Sequence, residues 1–265
     1  MNQPESLSWP TCDFLGRSQL GKLDKSSHPR LKSGSPNPCV LAQPRPSNSR
    51  IDTTLVLRFT SNWMESRLII FEGPDGVGKS TLVKFISDHL SAQNIPNQAL
   101  AFPGNQPGTL GKLVYDIHHS PFQFGITLLS PIGLQALHIA AHLDSIVQTI
   151  APAIASGSWV VLDRFWWSTW VYGRAAGIPL EILDSLIRTE KLQWGPIAPS
   201  AVFLVERTSP LRAEQSQGQF STLKDLYTDL FRSQSTEHEI VRVADADLGA
   251  AQATITDWVD RRVRQ

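Results

Sequence analysis

Cysteine is scarce in this chain of 265 residues, and its only two cysteines, Cys12 and Cys39, stand close to the N-terminus. The rest of the sequence can therefore hold neither a disulfide framework nor a cysteine-based metal site. The first residues have neither the basic start nor the apolar core of a secretory signal. We therefore expect a protein of a reducing compartment, the cytoplasm.

An excess of charge of either sign is also absent. The chain carries 24 basic and 24 acidic side chains, which gives a formal net charge of zero and a pI of about 7.1. Without a broad positive field, nucleic acid is not an expected partner. No apolar run approaches the ~20 residues needed to cross a bilayer, so we expect a soluble protein that does not enter membranes.

Apolar residues are sparse in residues 1–63, which are rich in proline, serine, lysine and arginine. Such a composition cannot bury enough apolar surface to offset the entropy of ordering, so the segment is predicted to be disordered. A transit peptide is the alternative, but the segment lacks an amphipathic period. Of the two methionines, the second is Met64, four residues before the first apolar run. We hypothesise that translation starts naturally at Met64, which leaves residues 64–265 as the folded domain.

A glycine-rich loop follows the apolar run that begins at Leu68. Its residues are Gly73, Pro74, Asp75, Gly76, Val77, Gly78, Lys79, Ser80 and Thr81. They match the P-loop pattern G-x-x-x-x-G-K-[ST], in which backbone amides wrap phosphates, the lysine reaches the β and γ oxygens, and the hydroxyl ligates Mg²⁺. An incidental glycine turn is the alternative. The strand-like run before the loop and the amphipathic segment after it favour a site for ATP and Mg²⁺.

Strand-like and helix-like segments alternate along the rest of the chain. Further strands are predicted at residues 98–102, 159–163, 201–205 and 239–243. Helices are predicted after the P-loop, from Thr109, and at residues 134–156, 168–176, 180–191, 223–233 and 248–264. This alternation predicts a doubly wound α/β fold of the P-loop nucleotide kinase type, with a mostly parallel five-stranded sheet and helices on both faces.

Asp163 and Arg164 directly follow the apolar run of residues 159–162. A carboxylate at the end of a buried parallel strand can anchor Mg²⁺, and the adjacent guanidinium can hold a phosphoryl group in transfer. A structural ion pair at a strand end is the alternative. The position downstream of a P-loop favours the catalytic interpretation.

At these two motifs the chain resembles the thymidylate kinase family. The P-loop with its aspartate, the Phe102-Pro103 turn followed by residues 109–113, and the approach to Asp163-Arg164-Phe165 all match that family's pattern. The resemblance implies transfer of a phosphoryl group from ATP to thymidine monophosphate, a small-molecule nucleotide acceptor. It also implies that Asp75 contacts the acceptor sugar, and that the helix at 134–156 offers a surface for a homodimer.

The same resemblance gives the remaining site residues. Phe102, Pro103, Arg164, Ser168 and Tyr172 would bind the acceptor. Because Gly76 stands where some members carry a P-loop arginine, the catalytic cation would come from a mobile lid near residues 207–222. The candidates there are Arg207 and Arg212, whose alternative interpretation is solvated surface charge.

Some expected acceptor contacts are absent from the sequence. The Phe102-Pro103 turn carries no arginine, and the long helix has Ile139 and Leu143 where an aromatic residue and an arginine would contact the base. A second hypothesis is therefore a P-loop kinase for another nucleotide, a nucleoside or a small phosphorylated compound. A third is a non-catalytic paralogue that binds ATP.

Two further clusters have competing interpretations. Trp166, Trp167 and Trp170 lie near the expected acceptor pocket and could stack on a base, but we expect most of the aromatic residues there to be core. His138 and His142 are four residues apart on one predicted helix face. A metal site is conceivable, but without a third ligand in register we expect a pair on the helix surface.

Overall fold

The computed structural model describes residues 66–195, 197–211, 217–244 and 247–263. The predicted disorder of residues 1–63 and the proposed start at Met64 lie outside the described residues. None of the helices within these ranges combines the length and the apolar character of a membrane span.

Five parallel strands form a single sheet with the order β2-β3-β1-β4-β5. They are β1 Leu68–Glu72, β2 Asn97–Ala101, β3 Trp159–Asp163, β4 Ala201–Val205 and β5 Ile240–Val243. The three central strands are buried throughout, as expected for continuous apolar runs in a parallel sheet that is covered on both faces. The register pairs Phe71 with Asp163, so the P-loop and the Asp163–Arg164 pair leave the sheet at the same edge.

Helices cover both faces of this sheet. They are α1 Lys79–Ala92, α2 Leu110–His119, α3 Pro131–Ser145, α4 Ala151–Ala155, α5 Trp166–Ala175, α6 Leu180–Trp194, α7 Gln217–Gln234 and α8 Leu248–Val263. Side chains of β1 alternate between the two cores. Leu68 and Ile70 pack with residues of α3, α5 and α7, whereas Ile69 and Phe71 pack with residues of α1 and α8. The predicted doubly wound α/β fold is confirmed.

The long helix predicted at residues 134–156 is not α-helical throughout. It begins earlier, at Pro131, where the Ser130 hydroxyl accepts a hydrogen bond of 3.1 Å from the Gly133 amide. A π-helical segment, Ile146–Ile150, then separates α3 from α4. Pro152 explains the interruption, because a proline inside a helix cannot donate to the preceding turn and its ring displaces the carbonyl there.

Helix α7 begins at Gln217, six residues before the predicted start at 223 and inside the segment predicted as a lid. Its first three residues are two glutamines and Gly218, but Phe220 is buried and stands three residues before Leu223, so the apolar face of the helix extends into the segment predicted as a lid. The part of the lid segment from 212 to 216 lies outside the described residues.

Candidate active site

The loop between β1 and α1 closes around the ammonium group of Lys79. Its Nζ donates hydrogen bonds to the carbonyl oxygens of Gly73 at 2.9 Å and Pro74 at 2.7 Å. Gly73 has a φ of +140°, and a Cβ there would lie 2.3 Å from the carbonyl oxygen of Val205, so only glycine fits. Burial, assisted by the charge of Arg164, lowers the pKa of Lys79 to about 8. The loop thus holds a buried cation that lacks a full counter-charge.

Ser80 and Asp163 meet across the edge of the sheet. Ser80 Oγ donates to Asp163 Oδ2 at 2.5 Å, whereas Asp163 Oδ1 is buried and has no hydrogen-bond partner among the described residues. A carboxylate with a free, buried oxygen beside a hydroxyl is a donor set that suits a hard divalent cation and its water ligands. These two residues are therefore suited to hold Mg²⁺, and their role as its site stays a prediction.

Asp75, Arg164 and Tyr172 form one polar cluster above the P-loop. The Arg164 guanidinium pairs with Asp75 Oδ1 through Nη2, and the Tyr172 hydroxyl donates to Asp75 Oδ2 at 2.6 Å. Arg164 also lies over the Tyr172 ring, with its guanidinium carbon 5.3 Å from the centroid. Three residues that sequence analysis proposed separately are thus in direct contact.

The charges in this cluster stabilise one another. Desolvation opposes ionisation of Asp75, but the positive charges of Arg164 and Lys79 hold the pKa of Asp75 below its usual value. Burial alone would lower the pKa of Arg164, yet the Asp75 carboxylate raises that pKa well above its ordinary value. Burial raises the pKa of Tyr172 against the influence of Arg164, so its phenol stays protonated as a donor.

Glu72 is a site residue that sequence analysis missed. Its fully buried carboxylate accepts hydrogen bonds from the amides of Phe165 and Ser168, at 2.6 and 3.0 Å, and from the hydroxyls of Ser168 and Tyr227, at 2.7 and 3.0 Å. Ser168 Oγ in turn accepts from Arg164 Nη1 at 2.8 Å. Glu72 therefore fixes the start of α5 and, through Ser168, the guanidinium. The available signal was a carboxylate that ends an apolar strand directly before the P-loop.

The Phe102-Pro103 turn lies beside the same edge of the sheet. The Phe102 amide donates to the Asp163 carbonyl at 2.9 Å, which holds the turn next to the site. The Phe102 ring itself is buried and stacks on His142, with centroids 3.9 Å apart and planes inclined by 13°. Phe102 packs inside the protein in this structure, so its ring does not form an open stacking surface. At Gly111, a Cβ would lie 2.1 Å from the Pro103 carbonyl oxygen, so only glycine lets α2 approach the turn this closely.

The expectation that His138 and His142 form a surface pair is wrong for His142. That side chain is buried, and its Nδ1 lies 3.0 Å from Glu190 Oε2. The other carboxylate oxygen, Glu190 Oε1, accepts a hydrogen bond of 3.1 Å from the Trp194 indole. Apolar flanks hide this polar contact in the sequence. In the described ranges no group of three or more His, Cys, Asp or Glu side chains is placed to hold a metal ion.

The tryptophans near the site are mainly core residues, as predicted. Trp166 and Trp167 are buried in the cluster that covers one face of the sheet, and Trp170 packs against it.

Within the P-loop, Val77 is also buried, whereas Thr81 at the start of α1 is exposed.

The segment that follows β4 contacts the P-loop directly. The Leu211 amide donates to the Gly76 carbonyl at 2.9 Å. Arg207 is half-buried and makes no ion pair with another described residue, and Arg212 lies outside the described residues. The choice between these two arginines as the catalytic cation stays a prediction; within the described part of the segment, Leu211 contacts the phosphate-binding loop.

Residues 71–250 match the family model described as thymidylate kinase. The thymidylate kinase of Symbiobacterium thermophilum is 28% identical over 197 residues, which cover 74% of this chain and 85% of that protein. The thymidylate kinase of Rhodopseudomonas palustris strain TIE-1 is 29% identical over 216 residues, which cover 76% of this chain and 90% of that protein. The thymidylate kinase of Chlorobium chlorochromatii is 36% identical over 142 residues, which cover 52% of this chain and 59% of that protein.

A solved structure has the same fold. The crystal structure of a thymidylate kinase from Ehrlichia chaffeensis superposes with a TM-score of 0.57 and 20% sequence identity. The superposition covers 72% of this chain and 97% of that one. The P-loop, β3 and the residues that follow both lie within the segment matched by the family model.

Proposed function

The chain belongs to the thymidylate kinase family, and we propose that it transfers the γ-phosphoryl group of ATP to the 5′-phosphate of thymidine monophosphate (dTMP). An oxygen of the acceptor phosphate forms the new bond to phosphorus. The bond from the γ-phosphorus to the β–γ bridging oxygen breaks, which yields thymidine diphosphate (dTDP) and ADP.

One observation carries this proposal. Arg164 directly follows Asp163, which fits Mg²⁺, and it also pairs with Asp75 of the P-loop. Its guanidinium therefore lies between the groups that fit a triphosphate and those that fit an acceptor. In phosphoryl transfer the protein acts mainly by positioning and by neutralising charge, and a cation between donor and acceptor supplies both.

The donor half of the site is the P-loop with Lys79. The ammonium group lies among loop carbonyls, and phosphate oxygens would offer it the counter-charge that burial denies it. The loop amides and the N-terminus of α1 would bind the same anion. Ser80 and Asp163 would hold Mg²⁺, which when bound supplies positive charge to the β and γ phosphates.

The acceptor half is the cluster of Asp75, Arg164 and Tyr172. Asp75 is the exposed member, and Arg164 and Tyr172 fix both of its carboxylate oxygens. A carboxylate oriented in this way can accept a hydrogen bond from a sugar hydroxyl, while Arg164 contacts the acceptor phosphate. Holding both groups in place lowers the entropic cost of bringing acceptor and donor together.

Closure of the segment after β4 would complete the site. Because Leu211 contacts Gly76, a movement of this segment would reach the phosphates directly. Closure would exclude water, so that the phosphoryl group passes to the acceptor and not to solvent. We propose that Arg207 or Arg212 supplies a second cation at that step, and that the enzyme works in the cytoplasm.

A coupled assay of ADP release tests the proposed function. Purified protein would be given ATP and Mg²⁺ with each of dTMP, dUMP, dCMP, dAMP, dGMP and thymidine. The proposal predicts the highest kcat/KM with dTMP. A preference for another acceptor would overturn the substrate assignment, and ATP binding without acceptor-stimulated ADP release would indicate a non-catalytic ATP-binding protein.

A further inference from the structure

A cavity lies between the helices α5, α6 and α7. Its volume is about 560 Å³, which is typical of sites that bind small molecules. Its walls include Trp166 and Trp170 of α5, Arg188 and Lys191 of α6, and Leu230 and Gln234 of α7.

Helix α5 separates this cavity from the proposed active site. Ser168 and Tyr172 both contact Arg164 and are four residues apart, so they share one face of the helix. Trp166 and Trp170 are also four residues apart, but they are offset from the first pair by two residues, which is about 200° around an α-helix. The two tryptophans therefore lie on the face of α5 that points away from the active site.

Gln234 gives the cavity a polar group that the protein itself does not satisfy. The residue is only 7% exposed, and its Oε1 has no hydrogen-bond partner among the described residues. An unpaired buried carbonyl oxygen is costly, and such groups are rare in native proteins. Because an amide oxygen can only accept, it calls for an N–H or O–H donor on a bound molecule.

Aromatic and aliphatic side chains form much of the remaining wall. Trp170 is partly buried against the core cluster, and Leu230 is buried. Trp166 is buried as well, and the ammonium group of Lys191 lies 4.8 Å from its ring centroid. Flat apolar groups pack well against such surfaces, so the cavity suits a ligand that contains an aromatic ring.

The described residues of the wall carry two cations and one carboxylate. Arg188 is exposed and makes no ion pair with another described residue, whereas the Lys191 ammonium lies 3.3 Å from Glu237 Oε2. The carboxylate is that of Asp184, which accepts a hydrogen bond of 3.2 Å from the Trp170 indole. An unpaired guanidinium beside the cavity favours a ligand with an anionic group.

We propose that this cavity binds a small aromatic anion that also carries an N–H group. The aromatic ring packs against Trp170 and Leu230, and the N–H donates to Oε1 of Gln234. The anionic group pairs with Arg188 and lies close to the ammonium of Lys191. This ligand site goes beyond the proposed function and does not depend on it.

Two fluorescent probes test the site. Anilinonaphthalene sulfonate (ANS) has an aromatic ring system, an N–H and one anionic group, whereas phenylnaphthylamine lacks only the sulfonate. Fluorescence titration of the full chain gives the Kd of each probe, and ANS should bind more tightly than phenylnaphthylamine. Because the cavity is separate from the active site, ATP with Mg²⁺ and dTMP should leave the Kd of ANS unchanged.

The variant that tests the cation is Arg188→Gln. It should raise the Kd of ANS about fivefold, the effect of one exposed charge pair, and should leave the Kd of phenylnaphthylamine unchanged. The control with the same change of charge is Arg261→Gln. Arg261 pairs with Asp257 at 2.7 Å within α8, which packs on the other face of the sheet. Its Kd values for both probes should match those of the unmodified protein.

The variant that tests the acceptor is Gln234→Met, which keeps the length of the side chain and removes the carbonyl. It should raise the Kd of both probes about fivefold, since both probes carry the N–H. Thermal unfolding checks that the variant is folded. If it is not, the exposed position of Arg188 keeps the test intact.

ANS also binds apolar surface in loosely packed proteins, so the comparison between variants decides the result. The inference is wrong if ANS does not bind, if the nucleotides displace it, or if its Kd is the same in the Arg188→Gln and Arg261→Gln proteins. Equal Kd values of ANS and phenylnaphthylamine in the unmodified protein would also overturn it. The assay of ADP release measures the proposed function separately, so the failure of one does not imply the failure of the other.

Discussion

Glu72 accepts two hydrogen bonds from Ser168, one from the amide at 3.0 Å and one from the hydroxyl at 2.7 Å, across 96 residues of chain. Since Ser168 Oγ also accepts from Arg164, the buried carboxylate reaches the guanidinium through a single side chain. The last residue of β1 thereby sets the position of a cation that follows β3. This relation is the structural basis of the first prediction.

Replacement of Ser168 by Ala should weaken catalysis through Arg164. The substitution removes one hydrogen bond to the guanidinium and one of the two hydroxyl hydrogen bonds to Glu72 Oε2, which should lower the free energy of unfolding by about 1–3 kcal/mol. We expect kcat to fall by on the order of tenfold, because Arg164 loses its orientation. Steady-state kinetics and urea unfolding measure the two effects.

A matched control separates orientation from stability. Tyr227→Phe removes another hydrogen bond to Glu72 and a 2.8 Å contact with Ser168 Oγ, but it leaves the hydrogen bond between Ser168 and Arg164 in place. It should lower stability with a smaller loss of kcat. An equal loss of kcat in the two variants would show that the buried network supports only the fold.

Lys79→Ala should abolish most turnover without unfolding the protein. Loss of a buried cation that stabilises charge in the transition state costs on the order of 10²–10³ in kcat. Because burial already lowers the pKa of Lys79, removing its charge should leave Tm unchanged or raise it. Lys84→Ala, on the exposed side of α1 and paired with Asp88, is the control and should behave like the unmodified protein. Full activity of the Lys79 variant would refute the donor-site assignment.

Acid should destabilise the protein through His118. The pKa of this residue is about 4 in the folded state against an ordinary value of 6.5, so between these values the unfolded chain binds more protons. The free energy of unfolding should therefore fall as the pH is lowered from 6.5 towards 4. The depressed pKa of His138 acts in the same direction.

The variant that tests this prediction is His118→Asn, which cannot take up the proton. Urea unfolding at intervals from pH 7 to pH 4.5 should give a shallower loss of stability for the variant than for the unmodified protein. Parallel curves would mean that other groups cause the acid sensitivity.

Gly111→Ala should weaken binding of the acceptor dTMP without affecting binding of ATP. The added methyl group would lie 2.1 Å from the Pro103 carbonyl oxygen, so the turn after β2 must move. We expect a higher KM for dTMP and an unchanged KM for ATP, read from initial rates with each substrate varied in turn. Gly218→Ala is the control, since a Cβ at that position of α7 would have no described atom within 4 Å. A rise in both KM values would show a general loss of structure.

The central strands and the P-loop could be predicted from the sequence because each is encoded by a short, continuous run of residues. Residues 159–163 and 201–205 are continuous apolar runs, and the predicted bounds agree with β3 and β4. The start of α7 was predicted six residues late, because its first three residues carry no apolar side chain, although the buried Phe220 continues the apolar face of the helix. The π-helical segment after α3 arises from Pro152, whose effect depends on how the flanking turns rearrange.

The site residues that belong to a short sequence motif could be predicted. Those whose role depends on contacts between residues far apart in the sequence could not. Lys79, Ser80, Asp163 and Arg164 follow from two short patterns, and Asp75 and Tyr172 from the resemblance to a family. Glu72 gained its role only through long-range contacts with α5 and α7, which no local pattern encodes. The burial of His142 likewise depends on its long-range contact with Glu190 of α6.

The most direct test of the account is product formation by the unmodified protein. Chromatographic separation of the nucleotides after incubation with ATP, Mg²⁺ and dTMP should show dTDP and ADP formed in equal amounts. The same reaction with the Lys79→Ala variant should show almost none. ADP formed without dTDP, or no turnover with dTMP under conditions in which ATP binds, would contradict the assignment of this chain as a working thymidylate kinase.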